Sequence, residues 1–143
     1  MSSKSICPDY STLEIAMDAW SEPFWQAGVE GRVVMQKCSH CATFRWPATG
    51  FCPKCHEQGM EWVPPGQARI YSFTIVPVPG ADKEAALGWR IPAVVEFDEA
   101  PGVRLVSLLA GADPQAVAIG DPVSISWRAA ANGVVPIFEP VVA

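Results

Sequence analysis

The sequence predicts a mainly β protein with an N-terminal helical arm, a four-cysteine ribbon and a C-terminal five-stranded barrel. Three observations carry that prediction. Two C-x2-C pairs lie close together between short extended pieces, and period-two alternation of apolar residues recurs in five segments after Gly66. The 11 glycines and 14 prolines of the 143-residue chain are spread along it, as many short strands joined by turns require. Half of the residues are apolar and 17% are charged, enough apolar content to offset the entropy of ordering. A disordered chain is thereby excluded. A single core at this length buries roughly 70% of the unfolded chain's surface, so one domain or two small modules is the upper limit.

Residues 1–31 form the first segment. Leu13, Met17, Trp20 and Phe24 recur at spacings of four, three and four, a helical period. Ser11 or Thr12 is placed to cap a first short helix, and Ser21 followed by Pro23 resembles the start of a second, which Gly28 and Gly31 would end. This aromatic-rich arm either docks a partner or packs on its own domain. Cys7 within it reads as a free thiol in a mobile arm.

Residues 32–66 form the ribbon, with extended pieces at Arg32–Gln36 and Phe44–Trp46 around the cysteines. Residues 57–68, carrying Pro64, Pro65 and Gly66, read as a connector. Residues 67–143 form the barrel. Tyr71, Phe73 and Ile75 fall on one strand face, read as core. Further alternating strands follow at Ala93–Phe97, Val103–Leu109, Val123–Trp127 and Val134–Phe138, with a short helical turn at Pro114–Ala118. Five strands in about 75 residues suit a small closed barrel of the OB type.

The longest apolar stretches fall far short of the roughly 20 residues that cross a bilayer, and the N-terminus has no basic region followed by an apolar run. A soluble cytoplasmic protein with no membrane partner is expected. Fifteen acidic against ten basic residues give a formal net charge of −5, which works against a nucleic-acid partner. Five cysteines, an odd number with four of them paired by spacing, do not form a secreted disulfide framework.

Cys38 and Cys41 make one C-x2-C, Cys52 and Cys55 the other, and ten residues separate the pairs. Each pair can wrap a tight turn around one cation, and the intervening hairpin brings the turns face to face. Four thiolates in a tetrahedron form a closed structural zinc site, which folds a module and leaves no position for catalytic water. Iron in a rubredoxin-like site and a degenerate, empty site are the alternatives. A redox dithiol fits poorly, since it expects a single C-x2-C beside a strand-helix-strand unit. His40 and His56 lie beside the cysteines and are either substitute ligands, acid–base groups or exposed knuckle residues. Glu96, Asp98 and Glu99 cluster at a strand end, as paired carboxylates or as a solvated turn. No Gly-rich phosphate loop, no G-x-S-x-G elbow and no histidine in the barrel half appears, so a self-contained catalytic site is not expected.

The ribbon residues Cys38, Cys41, Pro47, Cys52, Pro53 and Cys55, with Trp62, Gly66, Tyr71, Ser72, Phe73 and Thr74 at the barrel entry, carry a resemblance to a known family. Pro92, Val95, Glu99, Arg104 and Leu105 continue it, and Ile119, Gly120, Pro122, Val123, Pro136, Phe138 and Pro140 close it. The chain resembles the small proteins, formerly a domain of unknown function, that join a rubredoxin-like zinc ribbon to an OB-fold and accompany acyl-CoA enzymes. Ala42, Ala48, Thr49, Ala68 and Ala100 depart from that pattern, Ala42 where a glycine usually follows the second cysteine. The resemblance implies a non-catalytic accessory subunit of a thiolase-like catalytic subunit in a hetero-oligomer, with a CoA thioester as the ligand of the complex. Thiolase, acyltransferase and aldolase partners fit that role, and a hot-dog-fold enoyl-CoA hydratase is the alternative.

In such a complex Lys37, Arg45, Lys54 and Arg90 are candidates to contact CoA phosphates, which are held by point charges or guanidinium forks. As ordinary surface cations they would serve solubility alone. Trp89, in the long Pro77–Arg90 loop, packs on a partner or acyl group, or covers the barrel end. Two other classes compete: a single-strand nucleic-acid-binding barrel stacking bases on Tyr71, Phe73 and Trp127, and an independent iron redox protein.

Overall fold

The computed structural model describes residues 4–79 and 88–141. One helix occurs among them, α1 at Glu22–Val29. Its start is locked by Asp18, whose Oδ1 accepts the Ser21 N–H at 2.7 Å, with Pro23 in the first turn. Its end is set by Gly31 at φ +77°, the left-handed conformation that glycine takes freely. The buried face is Phe24, Ala27 and Gly28.

The expected first helix does not form. Leu13, Met17 and Trp20 stay 45%, 37% and 46% exposed, so no buried face rewards the turn of helix that their spacing suggests. Residues 4–20 instead run as a strap whose backbone bonds to the barrel. Ser5 N–H donates to Ala112 O at 2.7 Å, Ile6 N–H to Trp89 O at 2.9 Å, and Ala131 N–H to Leu13 O at 2.8 Å. Asn132 clamps Ile15, accepting its N–H at 2.8 Å and donating to its carbonyl at 2.9 Å. Cys7 accordingly lies half-buried in a pinned segment and not in a mobile arm.

The ribbon is a three-stranded antiparallel sheet in the order β2-β1-β3, from β1 (Met35–Cys38), β2 (Phe44–Arg45) and β3 (Met60–Val63). β3 lies inside the stretch expected to be connector. Met35–Cys38 pairs along its whole length with Val63–Met60, which uses the backbone groups of a segment whose prolines begin only at Pro64.

The barrel sheet has the order β10-β9-β4-β7-β8, built from β4 (Ala68–Phe73), β7 (Pro92–Phe97), β8 (Leu105–Leu108), β9 (Pro122–Ala130) and β10 (Gly133–Pro140). A separate hairpin pairs β5 (Val76–Val78) with β6 (Gly88–Arg90), the two ends of the long loop; its residues 80–87 lie outside the described residues. The Pro114–Ala118 segment holds a single turn, closed by an Ala116 N–H bond to Asp113 O at 2.9 Å.

The sheet is not closed into a full barrel. Its edge strands meet at one parallel bridge, Leu109 with Phe138, beside an Ala110 N–H bond to Phe138 O at 2.8 Å. Pro136 explains why the seam stops there. Its carbonyl faces β8, accepting the Ser107 hydroxyl at 2.6 Å, so its nitrogen faces the same way and has no hydrogen to donate.

Tyr71 is also not core. The inward face of β4 is Ala68, Ile70 and, past a register shift between Ile70 and Ser72, the partly buried Phe73, which pairs with the buried Ala93 and packs against the core. Tyr71 is exposed instead, with the Arg104 guanidinium 4.2 Å from its ring centre. One apolar cluster joins helix, ribbon and barrel, with Phe24, Met35, Ile70, Val95, Leu109 and Phe138 in it. Phe24 is the link: its ring centre lies 4.3 Å from Trp46 of the ribbon and 5.5 Å from Trp127 of β9. Gly28 permits that approach, because a Cβ there would meet the Trp127 ring at 2.5 Å.

Candidate metal centre

The two C-x2-C turns are built alike. In the first, Cys38 N–H donates to Thr43 O at 2.8 Å and Ala42 N–H to Cys38 O at 3.0 Å. In the second, Cys52 N–H donates to Glu57 O at 2.9 Å and His56 N–H to Cys52 O at 3.0 Å. The residue after each pair adopts a left-handed backbone, Ala42 at φ +65° and His56 at φ +67°. Ala42 thus occupies a conformation that explains why glycine is usual there. Backbone N–H groups also point at sulfur, from His40 and Cys41 to Cys38 Sγ at 3.4 and 3.5 Å, and from Lys54 to Cys52 Sγ at 3.4 Å. Such donors favour thiolate over thiol.

The turns bring the four sulfurs to one point, all within 4.8 Å of one another. Cys38 and Cys55 Sγ are 3.6 Å apart, Cys41 and Cys52 Sγ 3.5 Å. Tetrahedral ligation at about 2.3 Å sets sulfurs about 3.8 Å apart, so this set fits one soft divalent cation. Electrostatics agrees. The Thr43 bonds pull Cys41 down to about 6, whereas Cys55, despite the lowering bond from the Glu57 backbone, is pushed up to about 12 by burial and its three sulfur neighbours. Four such sulfurs cannot all ionise alone, and a divalent cation removes the conflict. His40 and His56 are exposed and do not belong to the four-residue cluster.

The five candidate contact residues do not share one face. Lys37 stands with Phe44 on one side of the ribbon sheet, its Nζ 5.6 Å from that ring's centre, while Arg45 stands opposite Gln36 on the other. Lys54 is exposed in the second knuckle, and Trp89 and Arg90 are half-buried on β6. Arg45 is 4% exposed, so it is no ordinary surface cation. Glu96 and Asp98 are ion-paired on the barrel surface, with Arg104 at 3.8 Å and Arg69 at 3.0 Å, and Glu99 lies exposed over Gly66. Asp98 and Glu99 form an exposed turn, and Glu96 lies half-buried near the end of β7. Two polar residues of this region escaped the sequence reading: Thr43, which bonds Cys41 Sγ at 3.1 Å, and Gln36, fully buried. Gln36 was readable in principle, since alternation places it on the Cys38 face of β1.

A ribbon built on four cysteines and packed against a five-stranded partly open OB sheet defines a class of two-module proteins, and comparison with known proteins places the chain within it. A family described as ChsH2, rubredoxin-like zinc ribbon domain, matches residues 25–61, and ChsH2, C-terminal OB-fold domain, matches residues 62–128. A DUF35 domain-containing scaffold protein of Methanothermobacter thermautotrophicus is 31% identical over 94 residues, 64% of this chain and 68% of that protein. The chain belongs to the DUF35 family of paired zinc-ribbon and OB-fold proteins. A protein of Thermomonospora curvata described as "Probable enoyl-CoA hydratase alpha subunit" is 33% identical over 125 residues, 83% of this chain, and the chain spans 37% of that relative's length. A solved structure described as an Ltp2-ChsH2(DUF35) aldolase has a TM-score of 0.73 at 29% identity, covering 90% of this chain and all of that one. A DUF35 protein of Sulfolobus solfataricus shares the fold, with a TM-score of 0.62 at 17% identity over 87% of each chain. Among the described residues no helix is long and apolar enough to cross a membrane.

Proposed function

We propose that this chain is a non-catalytic accessory subunit of a thiolase-type acyl-CoA enzyme, with Cys38, Cys41, Cys52 and Cys55 holding a structural zinc. Residues 1–31 act as the strap and linking helix, 32–66 as the metal module and 67–143 as the barrel. The observation that carries this reading is the four-sulfur cluster itself: it uses every position of a tetrahedral cation and so builds a surface without building a reaction site. No catalytic residue is assigned to this chain. Its contribution is to wall the partner's acyl-CoA entrance and exclude water, which strengthens the partner's own electrostatics. Lys37, Lys54, Trp89 and Arg90 are the proposed outer contacts to a CoA thioester.

The likeness to the ChsH2 chain of an aldolase supports a carbon–carbon lyase or transferase as partner. A second reading, an accessory module of an enoyl-CoA hydratase, is favoured by the description of the Thermomonospora relative. Gentle affinity purification of the tagged full chain from its host, with mass spectrometry of near-stoichiometric companions, separates them. A thiolase-family chain is the expected companion. A hot-dog hydratase moves the reading to the second reaction, and the absence of any companion overturns both.

A further inference from the structure

Arg45 is the only charged side chain among the described residues that the fold buries. Its Nε donates to Gln36 Oε1 at 2.7 Å. Gln36 is fixed in turn by the Thr49 backbone, accepting its N–H at 3.0 Å and donating from Nε2 to its carbonyl at 3.0 Å. One edge of the guanidinium is therefore oriented by an anchored acceptor. The other edge is unmet: Nη1 and Nη2 are buried without a hydrogen-bond partner, and none of the four ion pairs among the described residues includes Arg45. A guanidinium remains charged at physiological pH, and burying it uncompensated is strongly unfavourable.

Arg45 lines a cleft of about 440 Å³ between the ribbon and the barrel, walled by Phe44, Trp46, Pro47, Phe51, Pro53 and the barrel residue Gly102. Apolar walls reduce water's competition for a charge inside. We propose that this cleft is an oxyanion site, in which a carboxylate or phosphate group binds the Nη pair of Arg45 once the side chains that now cover that pair shift aside. Two parallel N–H donors match the two-oxygen face of either group, and an anion supplies the charge that the fold does not. That chemistry is common to an acidic side chain on a docking protein and to the phosphates of a nucleotide-bearing cofactor. The site goes beyond the accessory-subunit reading, since it requires no particular partner enzyme.

The test uses the full zinc-loaded chain with labelled arginine and backbone nitrogen. Sodium acetate, inorganic phosphate and adenosine 3′,5′-bisphosphate are each titrated against chloride at constant ionic strength, followed by NMR. At least one oxyanion should shift the Arg45 guanidinium signals and the Phe51 and Gly102 amides saturably, with no shift from chloride. Arg45→Met keeps the volume without the charge and should lose the amide shifts; Arg45→Lys, which keeps the charge without the fork, should weaken them roughly tenfold. Tighter binding of acetate assigns the site to an acidic side chain, and tighter binding of the bisphosphate assigns it to a cofactor. No saturable shift with any of the three anions overturns the proposal, as do equal shifts in folded Arg45→Met. If that variant does not fold, the three titrations of the unaltered chain decide.

Discussion

In the ribbon the most deeply buried side chains are Met35, Gln36, Cys38 and Cys52, whereas in the barrel they are Ile70, Ile91, Val95, Leu109, Ile137 and Phe138. The barrel can therefore be ordered by removing apolar surface from water. The ribbon cannot: its sheet has strands of four, two and four residues, and half of those four buried side chains are cysteines of one four-sulfur cluster. A small module with so little apolar interior needs a cross-link, and a metal supplies it. The two regions meet through Phe24, so the comparison can be broken at that point.

Phe24→Ala has the largest expected effect on the unmodified scaffold, about 3–5 kcal/mol, because it removes a fully buried ring from between Trp46 and Trp127. Chemical denaturation of the zinc-loaded chain should change from one transition to two, ribbon and barrel parting. A single transition of unchanged midpoint would sink the idea that Phe24 couples them. Ala42→Gly acts within the ribbon alone. Relieving a left-handed alanine should stabilise it by about 1 kcal/mol, read as slower metal loss to a chelator, with the barrel amides unmoved.

The smallest effect lies in the barrel. Glu139 is held below its ordinary value by hydrogen bonds from Arg128 and then Ser126. Its folded value is lower than its unfolded one, so the stabilisation is complete above the ordinary carboxylate value and is lost as pH falls through the folded value. The Arg128 and Glu139 side chains, 2.8 Å apart, are 38% and 41% exposed, which limits the pair to less than about 1 kcal/mol. Glu139→Gln should lower stability slightly at pH 7 in thermal unfolding, and the difference should vanish in acid. An equal loss at all pH values would show that charge plays no part.

The same contrast decides what the chain discloses before folding. Ligand spacing is local, so Cys38, Cys41, Cys52 and Cys55 could be read directly, and period-two alternation located the strands of the barrel. What failed depended on partners distant in the chain. The Leu13–Met17–Trp20 spacing is helical, yet the strap's hydrogen bonds go to Asn132 and Ala131, more than a hundred residues away. Tyr71 and Phe73 alternate in the sequence, but a shift against β7 leaves Tyr71 exposed while Phe73 packs on the core. Arg45 read as a surface cation because its burial follows from its register against Gln36, and β3 was hidden by the prolines after it. The proposed CoA contacts would depend on a surface in another chain, and no local pattern records it.

The most direct test of the central claim, a metal-built ribbon on a self-sufficient barrel, is metal analysis of the purified full chain followed by chelation under residue-resolved NMR. About one zinc per chain is expected, and its removal should collapse the dispersed signals of Gln36, Thr43 and Trp62 while those of Val95 and Phe138 persist. A ribbon spectrum unchanged by complete metal removal would contradict the account, as would a coloured, iron-bearing protein.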